Sequence, residues 1–134
     1  MLNGPRQTKY KKTKKGKLKK LEFKSNKLIF GIIGLKAKEA GIINSRQIES
    51  ARQAIVRKLK RKGKVWIRIF PDISITKKPT GVRMGKGKGQ VTHWGARVKG
   101  GTVLFEICGV SNNAAINAFR TGGAKLPVKT IIFN

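Results

Sequence analysis

The chain has 134 residues, in which 32 Lys and Arg face 5 Asp and Glu, for a formal net charge of +27. That length predicts one compact domain with a tail, and that charge predicts a standing polyanionic partner, either nucleic acid or an anionic membrane surface. The 39% hydrophobic fraction supports a modest core, while the single cysteine (Cys108) and single histidine (His93) exclude an internal disulfide and a Cys/His zinc site. No apolar run approaches the length of a membrane-spanning helix.

Residues 1–27 hold 11 basic residues and one acid, Glu22. They lack apolar periodicity, so on their own they are expected to be disordered and to fold onto RNA. Arg6, Lys9, Lys11, Lys12, Lys14 and Lys15 would grip phosphates there, with Tyr10 and Phe23 free to stack on bases or ribose. A solubilising tail or a targeting peptide is the alternative. The Lys-rich composition and the interruptions at Pro5 and Gly16 fit a presequence poorly.

The stretch 27–43 reads as strand material, with Gly31 and Gly34 marking a bulge or a close backbone approach and Glu39-Ala40-Gly41 a turn. Residues 45–62 give the clearest helix. Asn44 and Gln47 form a capping box, Ile43 and Ile48 a hydrophobic staple, and Gly63 the left-handed stop. Ile48, Ala51, Ile55 and Leu59 line its core face. Arg46, Arg52, Arg57, Lys58, Lys60, Arg61 and Lys62 oppose only Glu49 on the rest, which favours a phosphate-facing surface over a merely solvated one.

KVWIRIF (64–70) reads as a strand with Val65, Ile67 and Ile69 on one face. Trp66, Arg68 and Phe70 share the other, packed in a core or turned to RNA. KKPTGVRMGKGKGQ (77–90) is the most informative segment. It combines Lys77, Lys78, Arg83, Lys86 and Lys88 with glycines at 81, 85, 87 and 89 and contains no acid. Glycine lets backbone amides approach phosphates, and the interleaved lysines add charge beside them. A flexible hairpin tip is the alternative. The nucleotide-binding patterns fail: Gly81 and Gly85 enclose three residues, Gly87 follows Lys86, and strand residues follow Gly89.

Residues 90–98 and 102–108 read as a hairpin closed by Lys99-Gly100-Gly101. His93 is expected to be a packed or surface aromatic and Cys108 a small buried hydrophobe. Asp72 is the only aspartate, and no nucleophile–base–acid set suggests itself. A second helix starts after Ser111, turns Ala115, Ala118 and Phe119 inward, and frays or stops at Gly122-Gly123; a last strand covers 128–133. The expected fold is α+β, with an antiparallel or mixed sheet, two main helices, a basic N-terminal extension (1–27) and a single domain (28–134).

KVWIRIFPD (64–72), followed by KP and VRMGKGKG (within 78–89), resembles the signature of the ribosomal large-subunit protein sixteen family of bacteria and organelles. Further matches lie in the FG and GLKA strings (30–37), SRQIE with the following AR and A (45–54), AKLPVKT (124–130) and PRQTKYKK (5–12), so the resemblance spans essentially the whole chain. It implies an α+β sandwich with a hammerhead-like β motif, docked on large-subunit rRNA near the central protuberance. The tail, the basic helix face and Arg68 would contact rRNA. Lys77, Lys78, Arg83, Met84, Gly85, Lys86, Gly87, Lys88 and Gly89 would form a loop facing tRNA near the peptidyl-transferase centre. Arg83 matches a position that some bacteria hydroxylate.

The implied partners are large-subunit rRNA, tRNA and neighbouring ribosomal proteins, with no cofactor, membrane or homo-oligomer and no catalysis by the protein itself; a free general RNA-binding or RNA-chaperone protein is the alternative. Thr92-His93 and the Ser-Asn-Asn and Thr-Gly-Gly stretches of the second helix depart from the pattern; each Gly should weaken that helix by up to about 1 kcal/mol. The chain starts where the family starts, so no cleavable leader is expected. Its 23 Lys to 9 Arg and abundant Ile favour an organelle-encoded protein, mitochondrial over plastid, with a bacterial cytoplasm as the alternative.

Overall fold

Alternating and continuous apolar runs supply seven strands, and a computed structural model describes how they pair across residues 4–18 and 21–134. Residues 1–3, Lys19 and Lys20, which belong to the expected basic extension, lie outside the described residues. The elements run β1 (Ile33–Ala37), β2 (Gly41–Asn44), α1 (Ser45–Lys58), β3 (Lys64–Ile67), β4 (Ile73–Lys77), β5 (Gln90–Val98), β6 (Val103–Cys108), α2 (Asn112–Gly123) and β7 (Thr130–Phe133). The fold is α+β, and every strand pair is antiparallel.

Two sheets form. One has the order β3-β6-β1-β7 and the other β2-β5-β4. The expected hairpin of 90–98 with 102–108 is therefore not made: β5 and β6 belong to different sheets. The turn itself is present, with Thr102 N–H donating to the Lys99 carbonyl at 3.1 Å. However, Gly101 N–H donates to the Ala37 carbonyl at 2.7 Å, and Ala37 N–H to the Thr102 carbonyl at 2.9 Å. The end of β1 captures the turn and sends the chain across to the other sheet. The hairpin that does form is β4–β5, and it carries the Gly-Lys segment at its tip.

One core joins both sheets and both helices. Ile48, Ala51, Ile55 and Leu59 of the α1 face meet Ala115, Ala118 and Phe119 of α2, with Leu35, Val98, Leu104 and Phe105 beneath them. The staple pair Ile43 and Ile48 is fully buried, and Gln47 Oε1 accepts the Asn44 N–H at 2.9 Å. The strand expected across 27–43 divides. Residues 28–32 are not strand, and Gly31 lies so close to β6 that a Cβ there would stand 2.8 Å from the Ile107 backbone. Cys108 is half-buried rather than buried.

Helix α1 ends at Lys58, short of the expected residue 62. Lys60 N–H donates to the Arg57 carbonyl and Arg61 N–H to the Val56 carbonyl, both at 3.1 Å. These are the two bonds of a Schellman closure, which usually places glycine at the first left-handed residue and an apolar residue next. Here those places hold Lys60 (φ 52°) and Arg61 (φ 63°). Left-handed non-glycine residues cost about 1 kcal/mol each. Gly63 is left-handed too (φ 74°) but comes after the helix has already closed.

Candidate nucleic-acid interface

The described residues of the extension follow the domain surface. Gly4 lies against the Trp94 ring, Arg97 donates to the Lys15 carbonyl at 3.0 Å, and Glu22 N–H donates to the Gly100 carbonyl at 2.9 Å. Arg6, Lys9, Tyr10, Lys11, Lys12, Lys14 and Lys15 are all exposed, with the Lys9 ammonium 5.6 Å from the Tyr10 ring centre. Phe23 is 75% exposed, so both aromatic candidates for stacking are open to solvent.

The Gly-Lys segment projects from β4 and β5. Lys77 is the last residue of β4, and residues 81–88 are exposed throughout, Met84 at 92%. Gly81, Gly85 and Gly87 take φ of 87°, 103° and 89°, and a Cβ at any of them would meet nothing within 4 Å. Backbone conformation and not crowding therefore selects glycine there. The Lys78 ammonium closes the loop by donating to the Gly85 carbonyl.

Extension and loop meet. The Lys12 ammonium donates to the Lys88 carbonyl at 2.9 Å, and the Lys88 ammonium donates to the Thr13 carbonyl at 2.6 Å. These reciprocal bonds unite two basic segments that the sequence treats as separate. Most of the acids are already engaged, Glu22 of the extension among them. Glu49 pairs with Arg52 at 2.6 Å, Glu22 lies 3.4 Å from the Lys99 ammonium, and Glu39 accepts the Lys129 N–H at 3.0 Å. The Arg52 guanidinium holds Glu49 below the usual carboxylate range. The united surface thus keeps its positive field uncompensated.

On the helix, Arg46 and Arg57 point to solvent, while Arg52 is half-buried against Glu49. Lys60 and Arg61 are exposed in the closing turn rather than on the helix. Arg68, expected at rRNA, is mostly buried. Its guanidinium pairs with Glu106, whose side chain is inaccessible to solvent, and stands 5.4 Å from the Phe30 ring centre. Trp66 stacks on Phe30 with centroids 6.0 Å apart, outside the main core cluster, while Phe70 is 46% exposed.

Glu106 is the residue that sequence reading passed over. It accepts N–H bonds from Phe30 and Gly31 at 2.7 Å and from Ile29 at 3.3 Å. Burial pushes its carboxyl up, but the Gly31, Phe30 and Ile29 amides and Arg68 outweigh burial and hold it below the usual range. The available signal was an acid inside the apolar strand VLFEIC, with Arg68 just beyond its partner strand.

An α+β domain that turns most of its cations outward presents a surface suited to a polyanion. The chain belongs to the ribosomal protein L16p/L10e family, whose sequence profile matches residues 5–133. It is 54% identical over 126 residues to the large ribosomal subunit protein uL16 of Sinorhizobium medicae, covering 94% of this chain and 92% of that one. The uL16 of Borrelia recurrentis is 56% identical over 126 residues, covering 94% and 91%. That of Rhizobium etli is 54% identical over the same length. Family membership makes the chain a structural constituent of the large ribosomal subunit and not an enzyme.

Proposed function

We propose that the extension, the α1 cations and the turn after α1 bind large-subunit rRNA, while the Gly-Lys loop reaches tRNA near the peptidyl-transferase centre. The observation that carries this reading is the reciprocal Lys12–Lys88 and Lys88–Thr13 bonding, which lets rRNA held by the extension fix the position of the loop. Phosphate contacts supply most of the affinity, and the shape of an A-form surface against the rigid domain supplies selectivity. The chain would act in a bacterial cytoplasm, as its relatives are bacterial. The organelle expected from the Lys-to-Arg ratio has no support among them, because coding bias does not specify a compartment.

Two measurements test the reading. Deleting residues 6–15 removes six cations, so the slope of log affinity for rRNA against log salt should fall by about 4 to 5. A slope unchanged within one unit would mean that the extension meets no phosphates. The double variant K86A/K88A should sediment with large subunits at one copy each yet slow tRNA accommodation. Loss of the protein from the subunit would make the loop an rRNA anchor instead.

A further inference from the structure

The turn that closes α1 is built against its own stability. Lys60 and Arg61 occupy the left-handed places that glycine and an apolar residue normally take. Such departures from local preference collect at working sites. Beside this turn lies a cleft of about 210 Å³. Its floor is Val56, Leu59 and Val65, and its rim carries Arg61 and Lys62, while Lys64 at the edge turns its ammonium to within 5.2 Å of the Trp66 ring centre. Arg52 closes one side, held by Glu49. No acid lines it.

A backbone phosphate alone would need only the rim, since a flat basic surface satisfies it. An apolar floor under a cationic rim fits a ligand with a flat base and an attached phosphate. We propose that this cleft is a socket for a single RNA nucleotide turned out of its stack, its base on Val56, Leu59 and Val65 and its phosphate on Arg61 and Lys62. The left-handed turn brings Arg61 to the rim, where a helical continuation would carry it along the α1 axis. The proposal rests on the rRNA-binding reading above and names one subsite within it.

The test uses the full chain and large-subunit rRNA. V56F narrows the floor and keeps every cation; it should weaken rRNA binding about tenfold, equivalent to about 1.4 kcal/mol. R61G should melt at a higher temperature than wild type, because glycine relieves the left-handed backbone, yet bind rRNA more weakly. K38A, which removes one exposed charge away from the cleft, should stay within about twofold of wild type at moderate salt. Zero-length ultraviolet cross-linking of wild-type subunits should give a peptide spanning 56–65 that carries one nucleotide. Wild-type affinity in V56F, or a cross-link from that peptide to another protein, would overturn the socket. Failure of the wild-type chain to bind rRNA at all would instead overturn the functional reading on which it rests.

Discussion

Replacing Glu106 with Gln should destabilise the domain by about 3–5 kcal/mol, a large part of the 5–15 kcal/mol that holds a typical domain together. The substitution keeps the side-chain volume but leaves the Arg68 guanidinium without its counter-ion. It also turns an amide that is half donor toward three backbone N–H groups, those of Ile29, Phe30 and Gly31. The urea midpoint should fall accordingly, and hydrogen exchange at these three amides should quicken first. A double replacement of Glu106 and Arg68 by Leu should not restore stability, because the three amides would remain unsatisfied. A loss below about 1 kcal/mol in E106Q would show that the carboxylate is not the anchor of residues 28–32.

The same group sets an acid limit. The Glu106 carboxyl is held below the usual carboxylate range, so its stabilisation is complete above the unfolded-state value of about 4.3. It is lost as pH falls through the lower folded-state value. Wild type should therefore lose stability steeply below about pH 4.3, and E106Q should lose less over the same interval.

Gly122 and Gly123 should respond oppositely to substitution, although both read as helix stoppers. A Cβ on Gly122 would lie 2.8 Å from Ile55 Cδ1 and closer still to Ile55 Cγ1, with the Ala51 carbonyl at 3.4 Å. Ile55 is fully buried in the core. Gly122 is thus what lets α2 approach α1. G122L should cost about 3 kcal/mol through overpacking. In G122A the clash should exceed the gain in helix propensity of about 1 kcal/mol. At Gly123 the nearest atom is the Thr130 hydroxyl, at 2.7 Å, the movable end of a side chain. G123A should be neutral or stabilising by up to about 1 kcal/mol. Thermal melts of the three variants decide the matter, and equal destabilisation by both alanines would refute the packing role of Gly122.

The elements governed by local rules were legible. The α1 core face, its Gln47 cap and the glycine-lysine tip follow from periodicity, capping chemistry and backbone freedom within a few residues of each position. What was not legible depends on distant partners. Lys99-Gly100-Gly101 has the same local chemistry whether it closes a hairpin or turns a corner, and only Ala37, far back in the sequence, decides between them. Arg68 reads as one more cation until Glu106 is placed beneath it. The end of α1 was misplaced because Gly63 is the better local stop, whereas the turn uses Lys60 and Arg61. The contact between extension and loop had no signal at all, since each half is only a lysine and a carbonyl.

The strand order β3-β6-β1-β7 has a consequence for synthesis. Residues 33–37 leave the translating ribosome well before their partners, residues 103–108 and 130–133, are made. For most of translation the nascent chain is a polycation without a domain behind it. Its contacts with any RNA nearby are then governed by charge alone. Shape arrives only when the distant strands pair, so fit to one site can act only after the grip has begun.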